Sequence, residues 1–218
     1  PDGTMPAGTA AYEKRGVAVK VPAWDADKCI QCNSCAYVCP HAVIRPFLLT
    51  EEQAAAAPAG LKVIPVKGAP AGSDAKFYTL AFSNADCTGC GNCVDVCLAK
   101  EKSLAMVAYD SESPVQKEFE WLDKNVGYAK VEPAKANLKT SQFNKPYFEF
   151  SGACAGCGET PYIKTITQLF GDHMMISNAT GCSSIYGASF PASPYCADAE
   201  GHGPAWQNSL FEDFCEFG

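Results

Sequence analysis

Eight of the chain's thirteen cysteines stand in two copies of one spacing: Cys29, Cys32, Cys35 and Cys39, then Cys87, Cys90, Cys93 and Cys97. Each copy reads C-x2-C-x2-C-x3-C. Three thiolates at two-residue gaps let one tight loop wrap three corners of an iron–sulfur cube. The fourth, three residues on, points away and can reach a second cube. The expected ligand sets are Cys29, Cys32, Cys35 and Cys97 for one [4Fe–4S] cluster, and Cys87, Cys90, Cys93 and Cys39 for the other. Such clusters carry low-potential one-electron transfer. Zinc sites use four ligands in two C-x2-C pairs and do not need eight in this pattern. Disulfides suit an oxidising compartment, and nothing in the chain reads as a secretory signal. A reducing, anaerobic cytoplasm is the expected setting.

The elements that must hold these loops repeat as well. With Pro40 after the first run, the block resembles a bacterial two-cluster ferredoxin. Residues 16–21 alternate as a strand, with Val17, Val19 and Val21 on one face. The first loop follows, then a helical turn over 36–39 and a strand over 43–49. The second half has a strand over 77–82, loop and helix over 87–97, and a closing strand over 104–109. Together they form a pseudo-twofold pair of β–loop–α–β units. Residues 50–76 between them are rich in alanine, proline and glycine and read as a surface insertion, with a helical turn over 51–57 before Pro58. A poorly ordered loop and a docking element are equal alternatives for it. Val43, Ile44, Val94, Val96 and Leu98, with Tyr37 and Ile30, are expected to shield the cubes, which tunes potential together with backbone N–H bonds to sulfur.

The bulk numbers exclude other classes. With 218 residues, one or two domains are expected. Hydrophobic content of 47% supplies a core, and a net charge of −7 argues against nucleic acid or an anionic membrane as partner. No apolar run is long enough to span a membrane. Pro1 at the start and the helical pattern over 211–218 read as cuts through a longer polypeptide.

Residues 111–147 are polar and read as a linker over the surface of a larger body, with a short helix over 117–124 turning Phe119 and Trp121 or Leu122 inward. From Phe148 the character changes. Cys154 and Cys157 lie in a glycine-rich turn, and Thr160 then Pro161 reads as an N-cap followed by proline at the first helical position. Ile163, Ile166, Leu169 and Phe170 keep helical spacing up to Gly171. Residues 173–176 read as a buried strand running into the Gly181-Cys182-Ser183-Ser184 turn, an order that fits an open α/β sheet. Cys154, Cys157 and Cys182 supply three thiolates, and a lone C-x2-C also suits zinc or a redox dithiol. For a fourth ligand, Cys196 and Cys215 are available, though both read better as buried hydrophobes.

The eight-cysteine block, then 154–162 (Cys-Ala-Gly-Cys-Gly-Glu-Thr-Pro-Tyr), then 181–187 (Gly-Cys-Ser-Ser-Ile-Tyr-Gly), is similar to pyruvate:ferredoxin oxidoreductases across essentially the whole chain. The resemblance implies an α+β organisation: a two-cluster ferredoxin-like domain over 1–110 with its insertion, a linker over 111–147, and over 148–218 the start of an α/β thiamine-diphosphate-binding domain. It implies a third, proximal [4Fe–4S] cluster held by Cys154, Cys157 and Cys182, with the fourth ligand beyond Gly218, and thiamine diphosphate against Glu159 and Cys182, its Mg2+ bound mostly by parts absent here. By itself Glu159 is an anion favourable at a helix N-terminus. The reaction implied is oxidative decarboxylation of pyruvate with coenzyme A to acetyl-CoA and carbon dioxide, electrons leaving singly to ferredoxin or flavodoxin. The remaining domains of a parent enzyme, a homodimer, are implied as partners, because the Gly-Asp-Gly diphosphate motif and the oxoacid-binding parts are absent here. No catalytic residue is assigned in this segment, which is incomplete for catalysis alone. The rival readings are a stand-alone ferredoxin-type carrier, and a related enzyme for another 2-oxoacid. His202, between two glycines, reads as structural, and Tyr195 and Trp206 as packing or subunit contacts.

Overall fold

A computed structural model describes residues 6–178, 181–187 and 192–208. The two cysteine units are β1 (Lys20–Trp24), α1 (Ser34–Tyr37) and β2 (Ile44–Leu49), then β4 (Phe77–Phe82), α3 (Asn92–Asp95) and β5 (Leu104–Ala108). The strands pair across the units. Antiparallel β1 and β5 place Val21 opposite Val107, and antiparallel β2 and β4 place Phe47 opposite Thr79. Each unit therefore completes the other's sheet, and α1 packs against α3 between them. Val17 and Val19 precede β1 and are exposed, while Val21 alone of the three is buried. The alternation read there breaks because pairing with β5 begins only at Lys20.

The insertion is ordered rather than a loose loop. Thr50 caps α2 (Glu51–Ala55) in a capping box with Gln53, satisfying two end groups reciprocally. Short β3 (Ile64–Pro65) then adds to the outer edge of β4. The polar stretch after β5 also enters the core. Helix α4 (Val115–Asn125) buries Phe119 and Leu122, and Phe143, just beyond α5 (Leu138–Ser141), is buried with them. This stretch also meets a cation from β2: the Arg45 guanidinium binds Tyr128 at 2.5 Å, Asp123 and Glu149.

The last part holds α6 (Thr160–Phe170), β6 (Met175–Asn178), α7 (Cys182–Gly187) and β7 (Ala205–Asn208), with β6 and β7 parallel. Two expectations fail here. Glu159 already has helical dihedrals, so Thr160 is the first helical residue, and its buried hydroxyl does not cap and has no hydrogen-bond partner among the described residues. Strand β6 starts two residues later than expected and leaves Met175 exposed. The buried face of α6 is polar, made by Thr160, Lys164, Thr167 and Gln168, while Ile166 and Phe170 are exposed. Tyr195 packs edge-on against Phe148 and is tilted on Trp206. No helix of the described residues is long and apolar enough to cross a membrane. The pattern over 211–218 lies outside the described residues.

Candidate functional site

In each cysteine loop the chain turns left-handed twice, once on each side of the middle cysteine. The first loop does so at Gln31 (φ 58°) and Asn33 (φ 61°), the second at Gly89 (φ 72°) and Gly91 (φ 82°). These turns aim backbone amides at sulfur. Gln31 N–H donates to Cys29 Sγ at 3.4 Å and Gly89 N–H to Cys87 Sγ at 3.3 Å, bonds that favour the thiolate.

Cys39, Cys87, Cys90 and Cys93 line one small cavity together with Pro22, His41 and Met106. Cys39 reaches it from the first run, because α1 ends at Tyr37 and turns the next residues toward α3. Burial pushes the Cys87 thiol up to about 11 against the lowering bond from Gly89, and the nearby Cys39 and Cys90 add to the rise. Burial, then Cys39, Cys90 and Cys87, push Cys93 up to about 12. The buried thiols of Cys87 and Cys93 resist ionising beside their neighbours, a penalty that bound iron would relieve, since a cation takes thiolates rather than thiols. The donor set therefore fits an iron–sulfur cluster.

The second grouping lies beside the first. Burial raises the Cys35 thiol well above its ordinary value, and the next causes are Cys93, Cys32 and Cys29. Cys29, Cys32 and Cys35 thus share one neighbourhood, and Cys35 also faces Cys93 of the other. Cys97 is half-buried. Against burial, which raises it, the Ser103 hydroxyl and the amides of Ala99, Ser103 and Leu104 hold its thiol below the ordinary value. Val43 and Ile44 are buried, and Val94, Val96 and Tyr37 half-buried. Ile30 and Leu98, expected as shields, are instead 48% and 68% exposed, on the outer side of their cysteine runs.

The third constellation forms a turn, closed by Cys157 N–H donating to Cys154 O at 3.1 Å. It packs on the second loop: a Cβ at Gly156 would lie 3.5 Å from Cys90 Cβ. Cys182 opens α7, and Tyr186, one helical turn later, lies beside Glu159 and Cys157, which with burial raise its phenol. The structure thus brings α7 to the Cys154–Cys157 turn, with Cys154, Glu159 and Cys182 exposed. Cys196 is apart from all of these. It is buried, its Sγ donates to Pro146 O at 3.4 Å, and burial pushes its thiol well up. Cys215 lies outside the described residues. The His202 ring is exposed, 3.6 Å from Asp198.

Sequence reasoning missed two groups. His41 is buried with Nδ1 3.0 Å from Ser151 O, and burial lowers its pKa. Lys164 is buried on α6, and its Nζ donates to Tyr37 O at 3.0 Å and to Ala36 O. Burial lowers its pKa to about 8, with Cys39 opposing, Arg45 adding to the fall and Cys35 opposing.

A family described as a 4Fe-4S dicluster domain matches residues 28–101. Pyruvate-flavodoxin oxidoreductase of Enterobacter agglomerans is 56% identical over 219 residues, and pyruvate:ferredoxin oxidoreductase of Moorella thermoacetica 53% over 218. Pyruvate dehydrogenase [NADP(+)] of Cryptosporidium parvum is 49% identical over 220 residues. All three matches cover the whole of this chain, which spans 18% of the first two relatives and 11% of the third. The paired cysteine loops, the crossover of Cys39 and the turn that follows accordingly lie in a chain that is similar, along its whole length, to a segment of the pyruvate-flavodoxin and pyruvate:ferredoxin oxidoreductases.

Proposed function

We propose that this chain is the electron-transfer segment of an enzyme that converts pyruvate and coenzyme A to acetyl-CoA, carbon dioxide, a proton and two electrons. Cys29, Cys32, Cys35 and Cys97 hold one [4Fe–4S] cluster, and Cys39, Cys87, Cys90 and Cys93 a second. Cys154, Cys157 and Cys182 hold a third, with one ligand from elsewhere in the parent. When bound, the clusters supply one-electron steps, so the two electrons leave singly. Residues 148–218 begin the thiamine-diphosphate-binding domain, in which Glu159 and Cys182 would border the thiamine diphosphate, while its Mg2+ would be held mostly by parts of the parent outside this chain. Residues 1–110 form the ferredoxin-type domain, joined by 111–147. A ferredoxin or flavodoxin is the acceptor, and the parent is a cytoplasmic homodimer.

The single observation that carries the reading is the crossover: Cys39, from the first run, lines the cavity of Cys87, Cys90 and Cys93. Gly156 against Cys90 supports an order for the stations. The turn that carries Cys154 and Cys157 adjoins the Cys87 loop, and Cys93 acting on Cys35 links that site to the Cys29 loop. Clusters held by these residues would therefore hand on single electrons from the proximal site to the second loop, then to the first, then out. This chain's own residues fix that order, exclude water through Val43 and Ile44, and stabilise thiolate charge through amide donors.

Iron and thiamine analysis of the complete polypeptide tests the reading. About twelve irons per chain, four per cluster, with pyruvate-dependent reduction are expected; about eight irons and no thiamine would leave a ferredoxin-type carrier. Cys182→Ala should abolish the proximal signal and pyruvate-driven reduction while dithionite still reduces the other two clusters. Equal loss of every signal would instead mean unfolding.

A further inference from the structure

Two cations are buried in the core around the cysteines, and carboxylates neutralise only one of them. Arg45 has Glu149 on one side and Asp123 at 3.5 Å on the other. Lys164 is 2% exposed, and its Nζ reaches the carbonyl oxygens of Ala36 and Tyr37. Among the described residues no carboxylate acts on it; the groups that favour its charge are Cys39 and Cys35. Removing an ammonium from water is unfavourable unless an opposite charge receives it, and two carbonyl dipoles supply only part of that. The two thiols come one from each proposed ligand set. Cys35 lies within α1, Cys39 lies two residues past its end, and the carbonyls held by Lys164 are at that end.

We propose that Lys164 is the shared counter-charge of the two ferredoxin-type clusters: its ammonium makes both easier to reduce and pins the end of α1 that carries Cys35 and leads to Cys39. The proposal rests on the cluster assignment above. Each reduction adds one electron from the donor side to a site whose thiolates are already anionic. No bond forms or breaks, the Nζ proton stays in place, and the cation offsets the added charge. Cys154, Cys157 and Cys182 are not among the groups acting on Lys164, so the proximal site is an internal reference.

The test is a mediated redox titration of the complete polypeptide, followed by EPR, with iron counted in each variant. Lys164→Gln keeps a donor for the carbonyls and removes the charge; Lys164→Arg keeps the charge. In Lys164→Gln, the reduction equilibrium of both ferredoxin-type clusters should fall about tenfold or more, which is ~59 mV for a one-electron couple. Lys164→Arg and the proximal signal should stay within about threefold of wild type. Unchanged potentials in Lys164→Gln at full iron content would overturn the proposal, as would equal shifts in both variants. Loss of iron in Lys164→Gln but not in Lys164→Arg would support it, because assembly of the anionic clusters then needs the cation. Loss in both would overturn it in favour of side-chain shape. Absence of the paired cluster signals from the wild type would refute the assignment beneath it instead.

Discussion

The two cysteine loops share spacing and backbone shape but meet the same conformational demand by different means. In the second loop Gly89 and Gly91 take the left-handed positions without a Cβ to resist. In the first, Gln31 and Asn33 hold them, at a cost of about 1–2 kcal/mol per residue, less for asparagine. Their side chains offset that cost. Gln31 donates from Nε2 to Pro65 O at 2.8 Å and accepts from Lys67 N–H at 2.7 Å, both in the insertion. Asn33 donates to Lys139 O at 2.9 Å on α5 and accepts from the Tyr78 hydroxyl at 2.8 Å. Lys139 Nζ in turn reaches Lys67 O, which ties α5 to the insertion. The first loop is thus roofed by two segments distant in sequence. In the second loop Gly89 lies against Lys20, a Cβ at Gly91 would have no neighbour within 4 Å among the described residues, and Gly156 packs beside Cys90 with the turn that carries Cys154 and Cys157. One loop is built to be covered, the other to be approached.

Substitutions at these four positions can break or sharpen the contrast. Asn33→Ala should have the largest effect. It leaves the Tyr78 hydroxyl and the Lys139 carbonyl unpaired and puts alanine in a left-handed position, about 3 kcal/mol in all, or roughly a hundredfold faster hydrogen exchange across α5 and the first loop. Unchanged exchange would mean the roof stands without this side chain. Gln31→Ala should cost about 2 kcal/mol, read most directly as roughly thirtyfold faster exchange of the Lys67 amide, whose acceptor disappears. In the second loop, Gly89→Ala forces a Cβ to 3.1 Å from Lys20 O at positive φ, for about 1–2 kcal/mol, read as faster exchange along β1. Gly91→Asn should matter least, under about 1 kcal/mol, because nothing lies within 4 Å of the added Cβ and asparagine tolerates this conformation. A larger penalty at Gly91 than at Gly89 would contradict the description of Gly91 as the open position of the second loop.

What the sequence made legible was local. Cysteine spacing located both loops, and β4 occupies the expected residues 77–82, because alternation and spacing are written in neighbouring positions. The roof was not legible. Gln31 and Asn33 occupy the unspecified positions of the cysteine motif, and their bonds span 34 to 106 residues of sequence, which no periodicity records. Helix α6 is a related case. Apolar spacing located the helix but not its buried side: Ile166 and Phe170 are exposed, and the buried side is the one whose Lys164 bonds the carbonyls of α1. A polar face can be the buried one when backbone acceptors wait for it. Arg45 shows the same blindness, since its acidic partners come from α4 and from Glu149 far along the chain.

The central claim is that the fourth cysteine of each run serves the other run's cluster. Cys39→Ser in the complete polypeptide, followed by iron analysis and EPR, tests it most directly. The predicted result is loss or conversion of the cluster of Cys87, Cys90 and Cys93, with the cluster of Cys29, Cys32 and Cys35 still reducible. Loss of the Cys29 cluster with the Cys87 cluster intact would contradict the crossover and the station order built on it.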